Sequence, residues 1–176
     1  MSARYRIAIV GAESSGKTTL CRDLASHFAA AWLPEFAREY FEQKNSLNYD
    51  IEDIVRIGAE QLRREQIHPA KLLFCDSNLL INRIWAEVRF GRCPEWITQH
   101  YRPHDYLLHL LPTPDIPWEP DPLRENPHDR EALFDRYQQA LIDSGCPYLV
   151  VSGTRDERVQ LVTQELRRLL PQGLVK

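Results

Sequence analysis

The stretch Gly-Ala-Glu-Ser-Ser-Gly-Lys-Thr at residues 11–18 decides the fold predicted for this chain. It matches the Walker A pattern, in which two glycines, a lysine and a hydroxyl residue stand at fixed spacing. The glycines let the backbone curl so that successive N–H groups point at phosphate oxygens, and a following helix adds partial positive charge. We therefore expect nucleotide phosphates to contact Gly11, Glu13, Ser14, Ser15, Gly16, Lys17, Thr18 and Thr19.

Two residues of this motif have side-chain roles. Lys17 is expected to reach the β- and γ-phosphates of ATP and to act in catalysis, and the Thr18 hydroxyl is expected to ligate Mg²⁺. A plain glycine turn with a solvated lysine is the alternative. The flanking sequence disfavours it, because the motif follows a short apolar run at residues 5–10 and opens a helical pattern at residues 17–29.

Apolar runs and helical patterns alternate along the rest of the chain. Strands separated by helices require crossover connections, which favour a parallel sheet covered on both faces. The sequence therefore predicts an α/β fold of one domain, residues 1–176, with five parallel strands. Strands are predicted at residues 5–10, 31–33, 71–75, 106–111 and 148–152, and helices at 17–29, around 51–62, 78–90, 94–101, from Asn126-Pro127 to Gly145, and from the capping box at Thr154.

Residues 112–127 break this alternation, since six prolines within them exclude regular structure. We predict a long surface loop that acts as a lid. It carries Trp118, Asp121 and Arg124, with Arg130 following. Arg124 is the candidate to close over the transferring phosphate, because phosphoryl transfer needs a mobile cationic group. Trp118 is either a packing anchor or a base-stacking platform, and Asp121 is a candidate contact of the substrate.

Acidic residues follow two of the predicted strands. Asp76 ends the third strand, at the position of a Walker B acid, where it would hold the metal or activate the phosphoryl acceptor; capping of the next helix is the alternative. Glu35 and Arg38 follow the second strand. Ligands of open α/β sheets bind beyond the carboxyl ends of the strands, which places both near the phosphate site on the acceptor side. Gly153, after the fifth strand, is a candidate contact of the nucleotide base.

The composition excludes several other classes of protein. Apolar residues make up 43% and charged residues 27%, and the net charge is −3 with acids and bases interspersed. A nucleic-acid binder would show a basic stripe, and a membrane span needs about 20 consecutive apolar residues. We expect a cytoplasmic protein with neither nucleic-acid nor membrane partners. Reduced thiols are expected at the four dispersed cysteines, which are Cys21, Cys75, Cys93 and Cys146.

Four segments together resemble the ribosylnicotinamide kinase domain of NadR-type proteins. They are Gly-Ala-Glu-Ser-Ser-Gly-Lys-Thr-Thr-Leu, Glu-Phe-Ala-Arg-Glu-Tyr, Phe-Cys-Asp-Ser-Asn and Trp-Glu-Pro-Asp-Pro-Leu-Arg. The resemblance covers nearly the whole chain. It implies a P-loop kinase fold and ATP-dependent phosphorylation of the ribose 5′-hydroxyl of nicotinamide riboside, giving nicotinamide mononucleotide. Its partners would be ATP with Mg²⁺ and a small riboside.

The chain departs from that family in two respects. The sequence has no H-x-G-H signature of a fused nucleotidyltransferase domain, so we do not expect it to make the dinucleotide. The lid reads Asp121-Pro122-Leu123-Arg124, where Asp-Gly-x-Arg is usual. Proline removes a position that can take positive φ, so the lid follows a different path.

Three functions remain open on the sequence. The first is a ribosylnicotinamide kinase, and the second is a kinase of another small hydroxylated acceptor on the same fold. The third is a regulatory NTPase whose output is a conformational switch. An acid held beside the γ-phosphate favours the two kinases, and either Glu35 or Asp76 would be the base.

Overall fold

A computed structural model describes residues 4–174. Its five strands are all parallel, and they are β1 (Tyr5–Ile9), β2 (Ala31–Leu33), β3 (Leu72–Asp76), β4 (Leu108–Pro112) and β5 (Tyr148–Val151). They lie in the order β2-β3-β1-β4-β5. The five-stranded parallel sheet predicted from the alternation is confirmed, and the strand that ends in Asp76 lies directly beside the strand that leads into the glycine motif.

Seven α-helices are found within residues 4–174. They are α1 (Lys17–His27), α2 (Phe36–Lys44), α3 (Ile51–Ile67), α4 (Leu79–Phe90), α5 (Glu95–His100), α6 (Arg130–Ser144) and α7 (Arg155–Leu169). Residues that offset the unpaired backbone groups at helix ends set several of these bounds. Asp50 and Asp53 form a capping box at α3, Thr154 and Glu157 form the expected one at α7, and Gly145 ends α6.

Helices cover both faces of the sheet, because residues of each central strand alternate between two apolar cores. On one face Ile7 and Ile9 pack among side chains of α1 and α7. On the other face Ala8 and Val10 pack among side chains of α4 and α6. The glycine motif therefore begins where a strand buried on both sides ends.

Two predictions differ from the structure. Helix α2 was not predicted. Helix α6 begins at Arg130 with Asp129 at its N-cap, and the prediction of an N-cap at Asn126 was wrong. Asn126 lies in the preceding loop instead, and its N–H donates to the side chain of Glu13. Residues 113–129 contain no helix or strand, as their prolines predicted, and we call them the lid segment.

The described helices are also too short or too polar to cross a bilayer, so no membrane-spanning helix is found between residues 4 and 174.

Candidate active site

A cavity of about 660 Å³ opens at the carboxyl ends of the strands. The glycine motif forms its floor, the start of α2 and one face of α4 form its sides, and the lid segment covers it. The structure brings most of the predicted site residues to its wall, namely Gly11, Glu13, Ser14, Ser15, Gly16, Lys17, Thr18, Thr19, Glu35, Arg38, Asp121 and Arg124. Asp76, Trp118 and Gly153 do not line the cavity. Asp76 is hydrogen-bonded to Thr18 and Trp118 lies beside Arg124, both of which do line it.

The glycine motif has the curled backbone that its residues predicted. Gly11 has φ 142° and Gly16 has φ 85°, conformations that side chains disfavour. The Lys17 ammonium donates to the carbonyls of Gly11 at 3.0 Å and Ala12 at 2.7 Å. Burial lowers the pKa of Lys17, and the carboxylates of Glu35 and Asp76 oppose that shift. A phosphate entering this site would give the buried ammonium a counter-charge.

Thr18 and Asp76 form the second feature of the site. The Thr18 hydroxyl donates to Asp76 Oδ2 at 2.6 Å. The other carboxylate oxygen, Oδ1, is buried and has no hydrogen-bond partner among the described residues. Burial raises the pKa of Asp76, and the Thr18 hydrogen bond opposes this. A hydroxyl and a carboxylate with a free oxygen are the donor types that Mg²⁺ prefers, so this pair fits a magnesium site.

Thr18 and Asp76 would be only part of the ligand set of a Mg²⁺ ion, and the phosphates of the nucleotide would supply further oxygens. Within residues 4–174 no group of three or more His, Cys, Asp or Glu side chains could hold an ion by itself. Mg²⁺ in kinase sites is typically held by one or two protein oxygens, several waters and the phosphates of the nucleotide. Thr18 and Asp76 would supply two such protein oxygens.

Glu35 lies between β2 and α2 and lines the cavity on the side predicted to take the acceptor, which we call the acceptor side. Burial raises its pKa to about 7, and the nearby Asp76 carboxylate adds to that shift. Lys17 and Arg38 act in the opposite direction. The sequence placed this residue beyond the end of a strand, and the sheet order then brings it near Asp76, since β2 pairs with β3.

The lid segment lies closed over the glycine motif. The Arg124 guanidinium donates to the Ser14 hydroxyl at 3.3 Å and to the carbonyl of Glu119. Arg130 donates to the carbonyls of Ser14 at 3.1 Å and Ile116 at 2.9 Å. Both guanidinium groups also stand about 6 Å from the centre of the Trp118 ring, at 5.9 Å and 5.8 Å. Trp118 thus lies beside two arginines, and its role as a packing anchor or a base-stacking platform stays a prediction.

The acceptor side and the lid are joined by an ion pair. Arg38 donates to Asp121 Oδ2 at 2.8 Å. The Leu123 N–H donates to the other oxygen, Asp121 Oδ1, at 2.9 Å, and both contacts lower the pKa of Asp121. The arginine is largely exposed, so the ion pair itself contributes little to stability. It joins the start of α2 to the lid segment.

Sequence reasoning missed an aromatic wall on the acceptor side, formed by Phe41, Tyr49 and Trp85. The centroids of the Tyr49 and Trp85 rings lie 5.1 Å apart, and Phe41 lies 5.8 Å from Tyr49. Trp85 Nε1 donates to the Tyr49 hydroxyl at 3.0 Å, and that hydroxyl donates to the Glu125 carboxylate at 2.8 Å. The one available signal was helical spacing, since Ile81, Trp85 and Val88 recur at four and three residues within the predicted helix and all line the cavity.

Sequence reasoning also missed Arg158, which is 4% exposed and lies behind the glycine motif. Its guanidinium donates to the carbonyls of Ser15 at 2.6 Å and Gly153 at 3.0 Å, and it pairs with Asp115. Asp115 in turn accepts the Gly153 N–H at 2.8 Å. The loop after β5 is therefore fastened to the phosphate-binding loop, although Gly153 itself does not line the cavity.

Comparisons with known proteins agree with this geometry. The family AAA_28, described as an AAA domain, matches residues 6–158. The trifunctional NAD biosynthesis/regulator protein NadR of Salmonella typhimurium strain LT2 is 28% identical in an alignment of 153 residues that covers 82% of this chain and 37% of NadR. The chain thus spans little more than a third of the length of that relative, and the resemblance to NadR-type proteins predicted from the four segments is confirmed.

Solved structures show the same fold. A NadR protein in complex with NR superposes with a TM-score of 0.70 at 23% identity, covering 92% of this chain and 49% of that one. The deoxyadenosine kinase of M. mycoides with bound products gives 0.64 at 16% identity, covering 93% of this chain and 99% of that one. The chain has the fold of P-loop nucleoside kinases.

Proposed function

We propose, on the premise that the chain belongs to the AAA domain family AAA_28, that it is an ATP-dependent kinase of a small riboside. The finer proposal is that it phosphorylates the ribose 5′-hydroxyl of nicotinamide riboside and gives nicotinamide mononucleotide. One observation carries both statements. One cavity is lined by the phosphate-binding loop, by the aromatic wall, by Glu35 and by the lid arginine Arg124.

The phosphate end accounts for the donor, ATP. In phosphoryl transfer the protein mainly positions the groups and neutralises charge that spreads over the equatorial phosphate oxygens. The backbone N–H groups of the glycine motif and the Lys17 ammonium would bind the phosphates. Thr18 and Asp76 would hold Mg²⁺, which when bound supplies positive charge at the β- and γ-phosphate oxygens. Arg124 would face the same phosphates from the lid and exclude water with it.

Glu35 is the proposed base. Its carboxylate lines the cavity, and a pKa raised to about 7 matches a group that must accept a proton near neutral pH. Asp76 is the other candidate, but one of its oxygens already accepts the Thr18 hydroxyl and its side chain lies outside the cavity wall. We therefore assign the acceptor hydroxyl to Glu35 and the metal to Asp76.

The aromatic wall accounts for the acceptor. Nicotinamide riboside carries a flat, positively charged pyridinium ring, and such a cation is attracted to the faces of tyrosine and tryptophan. The Glu125 carboxylate beside Tyr49 adds negative charge at that end of the cavity. Similarity supports the same choice, since one solved NadR protein has NR bound and the curated relative is named for NAD biosynthesis.

A panel of acceptors tests this proposal. The protein would be incubated with Mg-ATP and nicotinamide riboside, its reduced and uncharged dihydro form, adenosine, cytidine or thymidine, and phosphorylated products would be measured by mass. We expect nicotinamide riboside to be used with a kcat/KM at least tenfold above the others. If a neutral nucleoside is phosphorylated and nicotinamide riboside is not, the chain is a kinase but the proposed acceptor is wrong. If no riboside is phosphorylated, both the proposed kinase activity and the proposed acceptor are wrong.

A further inference from the structure

Glu13, the second variable residue of the glycine motif, contacts the lid segment through its side chain. Its carboxylate accepts two successive backbone N–H groups. The Asn126 N–H donates to Oε2 at 2.8 Å, and the Glu125 N–H lies 3.1 Å from each carboxylate oxygen. Hydrogen bonds to an ionised acceptor are stronger than those between neutral groups. A carboxylate would also repel phosphate, so the side chain of Glu13 is suited to the lid and not to the nucleotide.

Ser14 provides a second contact with the same segment. Its hydroxyl accepts the Glu119 N–H at 2.9 Å and faces Arg124, and its carbonyl accepts Arg130. Ser14 has φ 52°, a left-handed conformation that is uncommon outside glycine. The two adjacent residues thus bind the lid at two places, near Glu119 and at residues 125–126.

These contacts determine where Arg124 lies. Arg124 immediately precedes the two residues whose N–H groups Glu13 accepts, and it shares the Ser14 hydroxyl with the Glu119 N–H. The Glu125 side chain meanwhile remains directed to Tyr49 on the aromatic wall. One carboxylate in the phosphate-binding loop is therefore connected both to the lid arginine and to the acceptor side of the cavity.

We infer that Glu13 is a positioning residue, whose carboxylate holds residues 125–126 so that the closed lid presents Arg124 to the phosphates. Its side chain acts through Arg124 and touches neither ATP nor the acceptor. The lid contact is a property of the protein by itself, and only its effect on turnover rests on the proposed kinase function.

The contact is tested without any substrate. Amide hydrogen exchange at Glu125 and Asn126, and tryptic cleavage after Arg124, would be compared in the wild type, Glu13→Ala, Glu13→Gln and Glu119→Gln. The last is a matched control, because the Glu119 carboxylate makes no hydrogen bond to residues 4–174, although the Glu119 N–H donates to the Ser14 hydroxyl. We expect at least tenfold faster exchange and cleavage in Glu13→Ala. Glu13→Gln should be intermediate, since its amide oxygen still accepts, and the control should match the wild type.

Unchanged exchange in both Glu13 variants would overturn the inference. Equal acceleration in Glu119→Gln and Glu13→Ala would also overturn it, because the loss of any nearby carboxylate would then be enough to loosen the lid segment.

The effect on turnover is measured separately. With riboside and Mg-ATP, Glu13→Ala should lower kcat at least tenfold while the Kd for Mg-ATP changes less than threefold, and Glu13→Gln should recover part of kcat. A loss of Mg-ATP affinity as large as the loss of kcat would place Glu13 at the nucleotide and overturn the positioning role. If the wild type itself phosphorylates no riboside, the proposed function fails, and the exchange experiment still decides the lid contact.

Discussion

The Thr18 hydroxyl at the start of α1 donates a 2.6 Å hydrogen bond to Asp76 Oδ2 at the end of β3. The two residues are 58 positions apart in sequence. They meet because β1, which leads into the glycine motif, pairs along its whole length with β3. The position at which Mg²⁺ would bind is thus set by the centre of the sheet.

Asp76→Asn and Glu35→Gln should have different effects on Mg-ATP. Removing the charge of Asp76 should weaken Mg-ATP binding by about tenfold, or about 1.4 kcal/mol, because one oxygen donor of the metal is altered. Glu35→Gln should leave that affinity within about threefold and cripple riboside phosphorylation. Titration of each variant with Mg-ATP, followed by fluorescence or calorimetry, measures this. The opposite pattern would exchange the two roles.

The pH dependence of kcat/KM for the riboside should report Glu35. A base must be ionised, and burial raises the pKa of Glu35 to about 7. Since kcat/KM reflects the free enzyme, it should level off above about pH 7 and fall about tenfold per unit below it. An unperturbed glutamate would place that fall near pH 4.3. Glu35→Gln should lose the dependence along with most activity. A flat profile between pH 6 and 8 in the wild type would contradict a base with this raised pKa.

Arg124→Ala should depress kcat far more than it weakens binding of Mg-ATP. The lid arginine faces the glycine motif and is expected to matter most when negative charge spreads in the transition state. We expect a loss in kcat of about a hundredfold or more, and partial recovery in Arg124→Lys, which retains the charge but not the planar fork. Steady-state kinetics measures both. Unchanged kcat in Arg124→Ala together with a large loss in Arg130→Ala would assign the role to Arg130.

Gly58→Ala should destabilise the protein although alanine favours helix. A Cβ at Gly58 would lie 2.8 Å from Leu79 Cδ2 and 3.1 Å from Asn82 Cγ, so these two buried side chains, or the helices that carry them, would have to shift. We expect about 1–3 kcal/mol lost in the free energy of unfolding, as is usual for overpacking. Gln66→Ala, at an exposed position of the same helix, is the control and should change it by less than about 0.5 kcal/mol. Equal stabilities measured by urea unfolding would contradict the close packing.

The sheet and the phosphate-binding loop could be predicted because their signals are local. Apolar runs such as residues 71–75 mark buried strands, and the spacing of Gly11, Gly16 and Lys17 is dictated by phosphate geometry. Strand adjacency followed in part, since Asp76 was expected next to the phosphate-binding loop. Apart from that adjacency, these predictions rest on patterns within single segments of the chain.

The features that sequence reasoning missed are tertiary. Tyr49, in the loop before α3, meets Trp85 of α4 only when the chain folds, and nothing within either segment indicates their contact. Helix α6 starts at Arg130 and not at the predicted N-cap Asn126. Asn126 lies in the lid segment, where its N–H donates to Glu13, a residue far away in sequence. In the sequence Arg158 resembles any other arginine of a helix, and its contact with the Ser15 carbonyl is found only in the folded chain.

The most direct test of the account measures ADP and riboside phosphate together, with nicotinamide riboside present or absent. A kinase that excludes water under its lid should form the two products one for one and should release ADP at least a hundredfold more slowly without the riboside. Phosphorus NMR of the product should place the new phosphate on the ribose 5′-oxygen. Lys17→Ala should be folded and inactive, because the Lys17 ammonium donates only to loop carbonyls among residues 4–174. ADP release at the same rate with and without riboside would contradict the account and identify the chain as an NTPase.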